Sequence, residues 1–141
     1  MSRADTIAKL KAVPLFQSCT RRQLRHIAGL GWEGGFETGR ILCEEGKFAD
    51  DFFVILEGRA EVRTGGRKRA TLGPGDYFGE IAILRSSLLD RSRRTATVTA
   101  LEPLRCFMLG RSQFQGVLYE EDIAVKILRE VVKRLDASSD L

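Results

Sequence analysis

The sequence predicts a mainly β domain with helices at both ends. Of its 14 glycines, 12 fall between Gly29 and Gly79, where they separate short apolar or alternating runs at the spacing of tight turns. The two ends instead carry apolar residues at helical spacing.

Each element has its own signal. Ile7 and Leu10 share a face within residues 3–12, which predicts a short helix ending before Pro14. Thr20-Arg21-Arg22-Gln23 has the form of a capping box, so a second helix is expected through Leu24, Ile27 and Ala28 to Gly29. Phe52-Phe53-Val54-Ile55-Leu56 is a continuous apolar run, suited to a buried strand. Residues 59–64 alternate, with Ala60 and Val62 on one face. Gly65-Gly66 joins that run to residues 67–72 and reads as a hairpin, because primed turns need positive φ. Gly73-Pro74-Gly75-Asp76 is a further turn. Residues 95–100 are rich in β-formers, and residues 104–109 follow the Glu102-Pro103 turn. Several short strands this close together mark a sandwich or small barrel.

Helix returns after that. Ser112 can cap a helix through Phe114, Val117 and Leu118. A longer one is expected from about Glu121 to Leu135, with Ile123, Ile127, Leu128, Val131, Val132 and Leu135 on a broad apolar stripe. That stripe is first a packing face, and second a lid or a dimer seam. Residues 136–141 are expected to fray. The chain thus divides into N-terminal helices (1–30), a β-barrel (31–110) and C-terminal helices (111–141), within one domain of 141 residues.

Composition narrows the function. At 43% hydrophobic residues the chain can bury a real core. No run reaches the length of a membrane span, and Met1-Ser2-Arg3-Ala4-Asp5-Thr6 lacks the apolar stretch of a signal peptide. Cys19, Cys43 and Cys106 have no metal-ligand spacing and read as reduced thiols in a cytoplasm. The single histidine, His26, argues against a multi-histidine metal centre and against a His-based triad. Paired carboxylates, a Cys/His couple and a nucleophile elbow are all missing, which favours a binding module over an enzyme. The net charge is +4, and the excess is uneven: residues 85–105 hold five arginines against two acids. A solvated surface explains most such excesses, and an anionic small ligand is the second explanation.

One stretch points to that ligand. In Gly75-Asp76-Tyr77-Phe78-Gly79-Glu80-Ile81-Ala82-Ile83-Leu84 the pattern changes after Phe78 from strand to a short apolar helix. A helix start offers free N–H groups and a positive dipole end. Gly79 and the small Ala82 let a ligand come close to that backbone. Arg94, at the start of the next strand, can bring a permanently charged fork to the same place. Together these parts hold a phosphate. Glu80 would be repelled by a bare phosphate unless it accepts a hydrogen bond from a neighbouring sugar hydroxyl. A phosphate and a ribose 2′-hydroxyl side by side in one compact ligand suggest a cyclic nucleotide.

Phe78-Gly79-Glu80-Ile81-Ala82-Ile83-Leu84 followed by Arg94-Thr95-Ala96-Thr97-Val98 closely resembles the phosphate-binding cassette of cyclic nucleotide-binding domains. Val13-Pro14-Leu15-Phe16, residues 53–58 and Leu72-Gly73-Pro74-Gly75-Asp76 fit the same family, so the resemblance covers about residues 7–135. It implies an eight-stranded jelly-roll β-barrel with short N-terminal helices, a cassette helix within residues 79–97 and a C-terminal lid helix. It also implies cAMP or cGMP as ligand, with no metal. Gly79 and Glu80 would bind the ribose 2′-hydroxyl. The Ala82 and Thr95 amides and the Arg94 guanidinium would bind the cyclic phosphate. Ile81 and Ala96 would belong to the same ligand-binding set, and Phe78 and Val62 would lie near the pocket. Thr95 is similar to the cGMP-type cassette. The step from Glu80 to Arg94 is fourteen residues, longer than the family's usual spacing. The implied function is a sensor that passes ligand binding through its C-terminal helix to a partner or an attached effector, with a homodimer through that helix as one arrangement. No direct nucleic-acid or membrane contact is expected from this chain. The other readings are a domain of this fold that acts through protein contacts without nucleotide, and the sensor half of a Crp-like transcription regulator.

Overall fold

The computed structural model describes residues 3–47, 51–79, 96–118 and 120–139. Three helical elements open the chain: α1 (Arg3–Lys11), a 3-10 turn (Pro14–Phe16) and α2 (Arg21–Leu30). The capping box at α2 forms as the sequence predicts. The Thr20 hydroxyl accepts from the Gln23 amide at 3.1 Å, and the Gln23 side chain accepts from the Thr20 amide at 2.8 Å.

Eight strands follow among the described residues: β1 (Trp32–Phe36), β2 (Ile41–Cys43), β3 (Asp51–Glu57), β4 (Ala60–Thr64), β5 (Arg67–Leu72), β6 (Tyr77–Phe78), β7 (Thr97–Ala100) and β8 (Leu104–Gly110). The expected closed barrel is corrected to two antiparallel four-stranded sheets, ordered β1-β8-β3-β6 and β2-β7-β4-β5. Only β4 and β5 pair as chain neighbours, across the Gly65-Gly66 turn, where φ is +58° and +77°.

The sheets stay open because the first of them is the middle layer of three. Phe53, Ile55, Leu104, Cys106 and Met108 point inward to a core shared with Cys43, Ala60, Leu72 and Val98 of the second sheet. Their alternating neighbours Phe52, Val54, Phe107 and Leu109 point the other way, into a core shared with the helices. β3 and β8 are buried on both faces, which explains the unbroken apolar runs from Phe52 to Leu56 and from Cys106 to Leu109.

Two helices, α3 (Arg111–Leu118) and α4 (Glu121–Ser139), complete the helical layer. Phe114 of α3 stacks on Phe52, with ring centroids 4.6 Å apart. Ile123, Ile127 and Val131 of α4 are buried against this layer. Residues 136–139, expected to fray, continue the helix. β1 and β2 had no strand signal: Glu33, Gly34 and Gly35 interrupt β1, and β2 is three residues long.

Candidate cyclic nucleotide site

The strand ahead of the cassette is short and firmly held. Phe78 is buried, and its ring stacks on Phe53 at 4.8 Å with 10° between planes. Phe53 in turn meets Phe36 edge-on at 6.3 Å. Val62 packs half-buried against the same inter-sheet core. Gly79 follows with φ +94°, a left-handed conformation that residues with a Cβ rarely adopt.

The chain leaves the first sheet at Gly79 and rejoins the second at Thr97, just after Ala96. The cassette therefore begins in one sheet and ends in the other. β7 pairs with β4 so that Thr97 opposes Arg63 and Val98 opposes Val62, which brings Val62 beside the strand into which Ala96 leads. Thr97 is also tied to the β2–β3 connection, its hydroxyl accepting from the Glu45 amide at 3.0 Å. Of the residues singled out from sequence, Phe78 and Gly79 thus lie where the chain leaves the first sheet, Ala96 where it enters the second, and Val62 in the middle of β4 opposite Val98. Glu80, Ile81, Ala82, Arg94 and Thr95 lie outside the described residues, as does the expected cassette helix.

The terminal helix reaches this region through a residue that sequence patterning missed. Arg134 of α4 donates from Nη1 to the Tyr77 carbonyl oxygen at 2.7 Å. Its guanidinium carbon also lies 4.4 Å from the centre of the Tyr77 ring. Only the heptad-like position of an arginine near the end of an amphipathic helix could have hinted at this. Arg129 and Lys133 are exposed in the structure, and Lys133 pairs with Glu130 at 3.4 Å. Further contacts bind α4 and the α3–α4 junction to α2: Lys126 donates to the Gln23 side chain at 2.9 Å, and His26 lies 3.7 Å from Glu120.

Cys19, Cys43 and Cys106 are free and buried. Burial pushes the Cys106 thiol up to about 12 and raises that of Cys19, which keeps both protonated and unreactive. Among the described residues no group of three or more His, Cys, Asp and Glu side chains could hold a metal ion, and no helix is long and apolar enough to cross a membrane.

Two packed antiparallel sheets under a helical layer, with the chain leaving the first at a left-handed Gly79 and re-entering the second at Thr97, define the class of fold. The chain belongs to the cyclic nucleotide-binding domain family, whose model matches residues 35–121. Solved structures agree. The N-terminal domain of a transcriptional regulator from Streptomyces coelicolor A3(2) is 30% identical, with a TM-score of 0.70 over 94% of this chain and 95% of that one. Cyclic AMP-bound PfPKA-R (141-441) is 25% identical with a TM-score of 0.77, over 97% of this chain and 47% of that one, so the chain spans about half its length. The regulatory subunit of a cAMP-independent protein kinase A from Trypanosoma brucei shares the fold, at 21% identity and a TM-score of 0.80, over 99% of this chain and 50% of that one.

Proposed function

We propose that this domain binds a cyclic nucleotide, cAMP or cGMP, and passes its occupancy to a partner or attached effector through α4. The observation that carries the reading is the Phe78-Gly79-Glu80 sequence with its left-handed glycine at the start of the segment that joins the two sheets. In this reading the Gly79 backbone and Glu80 hold the ribose 2′-hydroxyl. The Arg94 guanidinium and the Ala82 and Thr95 amides hold the phosphate, since a charged fork and free N–H groups suit a buried anion. Ile81 and Ala96 flank them, and Phe78 and Val62 form the apolar wall. α4 serves as the lid and the domain acts as a regulator without chemistry of its own. The strand orders support the finer jelly-roll reading, in which strands early and late in the chain lie side by side.

α4 also has a second apolar face. Val125, Leu128 and Val132 are 51%, 43% and 53% exposed, at the i, i+3, i+7 spacing of a coiled-coil seam. That face suits a homodimer through α4. The fourteen-residue step from Glu80 to Arg94 favours a second reading, in which the domain takes no nucleotide and works through protein contacts. Calorimetric titration of the full chain with cAMP and cGMP separates the two: saturable heat with either supports the sensor, and none with both supports the protein-contact domain.

A further inference from the structure

Along β1, at the free edge of the first sheet, two clefts meet at one side chain. A cleft of about 320 Å³ is lined by Thr6, Trp32, Glu33, Arg105 and Phe107. A wider one, of about 670 Å³, is lined by Gly35, Phe36, Glu37, Glu57 and Arg105. Arg105 sits on β8 between its register partners, Gly35 on β1 and Glu57 on β3. The Arg105 guanidinium reaches back over Gly35, where a Cβ would meet Nη1 in ordinary contact at 3.5 Å.

The charges there are unequal in their pairing. Glu33 is satisfied: the Thr6 hydroxyl donates to it at 3.0 Å and Lys9 lies 3.4 Å away. Arg105 makes no side-chain hydrogen bond or ion pair among the described residues, and its Nε is shielded from solvent without a partner. A half-buried guanidinium in that state favours an incoming carboxylate. Glu37 and Glu57 on the wider cleft oppose an incoming acid everywhere except directly on the guanidinium. Among the described residues β1 is an edge strand of its sheet, paired only with β8.

We propose that this edge is a docking site for an extended segment of a partner protein, which adds a strand beside β1 and places one acidic side chain on Arg105. The surface is separate from the cassette, and the proposal does not depend on nucleotide binding. Trp32, 46% exposed and the only tryptophan of the chain, reports directly on the smaller cleft. The test titrates the full chain with a blocked peptide of alternating valine and threonine with one central aspartate, following Trp32 emission. The expected result is a saturable change, weakened at least tenfold both by an asparagine in place of that aspartate and by Arg105→Gln. The asparagine peptide tests the idea on the unaltered protein, whatever Arg105→Gln does to folding. No saturable change, equal binding of the two peptides, or displacement of the peptide by succinate at equal concentration would each overturn the proposal, the last by assigning the site to free carboxylates.

Discussion

Arg134, near the end of the last helix, holds the carbonyl oxygen of Tyr77 at 2.7 Å and covers the ring of the same residue. Tyr77 stands two residues ahead of Gly79, so the terminal helix grips the strand from which the cassette springs. A charge-assisted hydrogen bond and a cation–π contact on a buried tyrosine together outweigh an exposed ion pair such as Lys133–Glu130. In the proposed function, this contact is the link between the strand ahead of the cassette and α4.

Arg134→Met removes both interactions and keeps most of the aliphatic stem. It is expected to lower stability by about 1–3 kcal/mol and to speed amide exchange in the C-terminal half of α4 more than in β3. Hydrogen exchange followed by mass spectrometry checks this; unchanged protection of α4 would mean that Ile123, Ile127 and Val131 hold the helix without it.

Arg94→Ala is expected to weaken cyclic nucleotide binding by roughly 2–5 kcal/mol, the range for losing one partner of a buried charge pair. The far-ultraviolet spectrum should be unchanged. Calorimetry decides it, and an unaltered affinity would move the phosphate contact to another arginine.

Glu80→Gln should reduce the preference for the ribose form over a 2′-deoxy cyclic nucleotide, because a neutral acceptor reads the hydroxyl more weakly than a carboxylate. If the unaltered protein binds both forms equally, Glu80 does not read the sugar.

Thr95→Ala tests base selection. A hydroxyl beside the phosphate can accept from the guanine 2-amino group when the base is syn, and adenine has no such group. One neutral hydrogen bond is worth about 0.5–1.5 kcal/mol, so cGMP should lose up to roughly tenfold and cAMP less. Equal losses in competition titrations would assign the hydroxyl to the phosphate.

Phe53→Ala removes the ring between Phe78 and Phe36 and opens the inter-sheet core. The expected cost is about 3–5 kcal/mol in a urea melt. A cost near 1 kcal/mol would show that Phe78 and Phe36 close over the gap.

Local chemistry was readable from the chain because it acts over a few residues. The Thr20–Gln23 capping box, the Gly65-Gly66 hairpin and the burial of the strand through Phe52-Phe53-Val54-Ile55 were all visible as residue type and spacing, and so was the family resemblance carried by Phe78-Gly79-Glu80. Partners distant in sequence were not visible. β1 became a strand despite Gly34-Gly35 because β8 offers it a ladder from Trp32↔Met108 to Phe36↔Leu104, 68 to 76 positions away. The open two-sheet arrangement arose because the first sheet must bury both faces, one under helices from opposite ends of the chain. Arg134 meets Tyr77 across 57 positions, a contact that no periodicity encodes. Spacing determined which residues could form each element and begin the cassette; tertiary packing decided which of them meet, because burial and pairing are satisfied between segments, where the sequence carries no ruler.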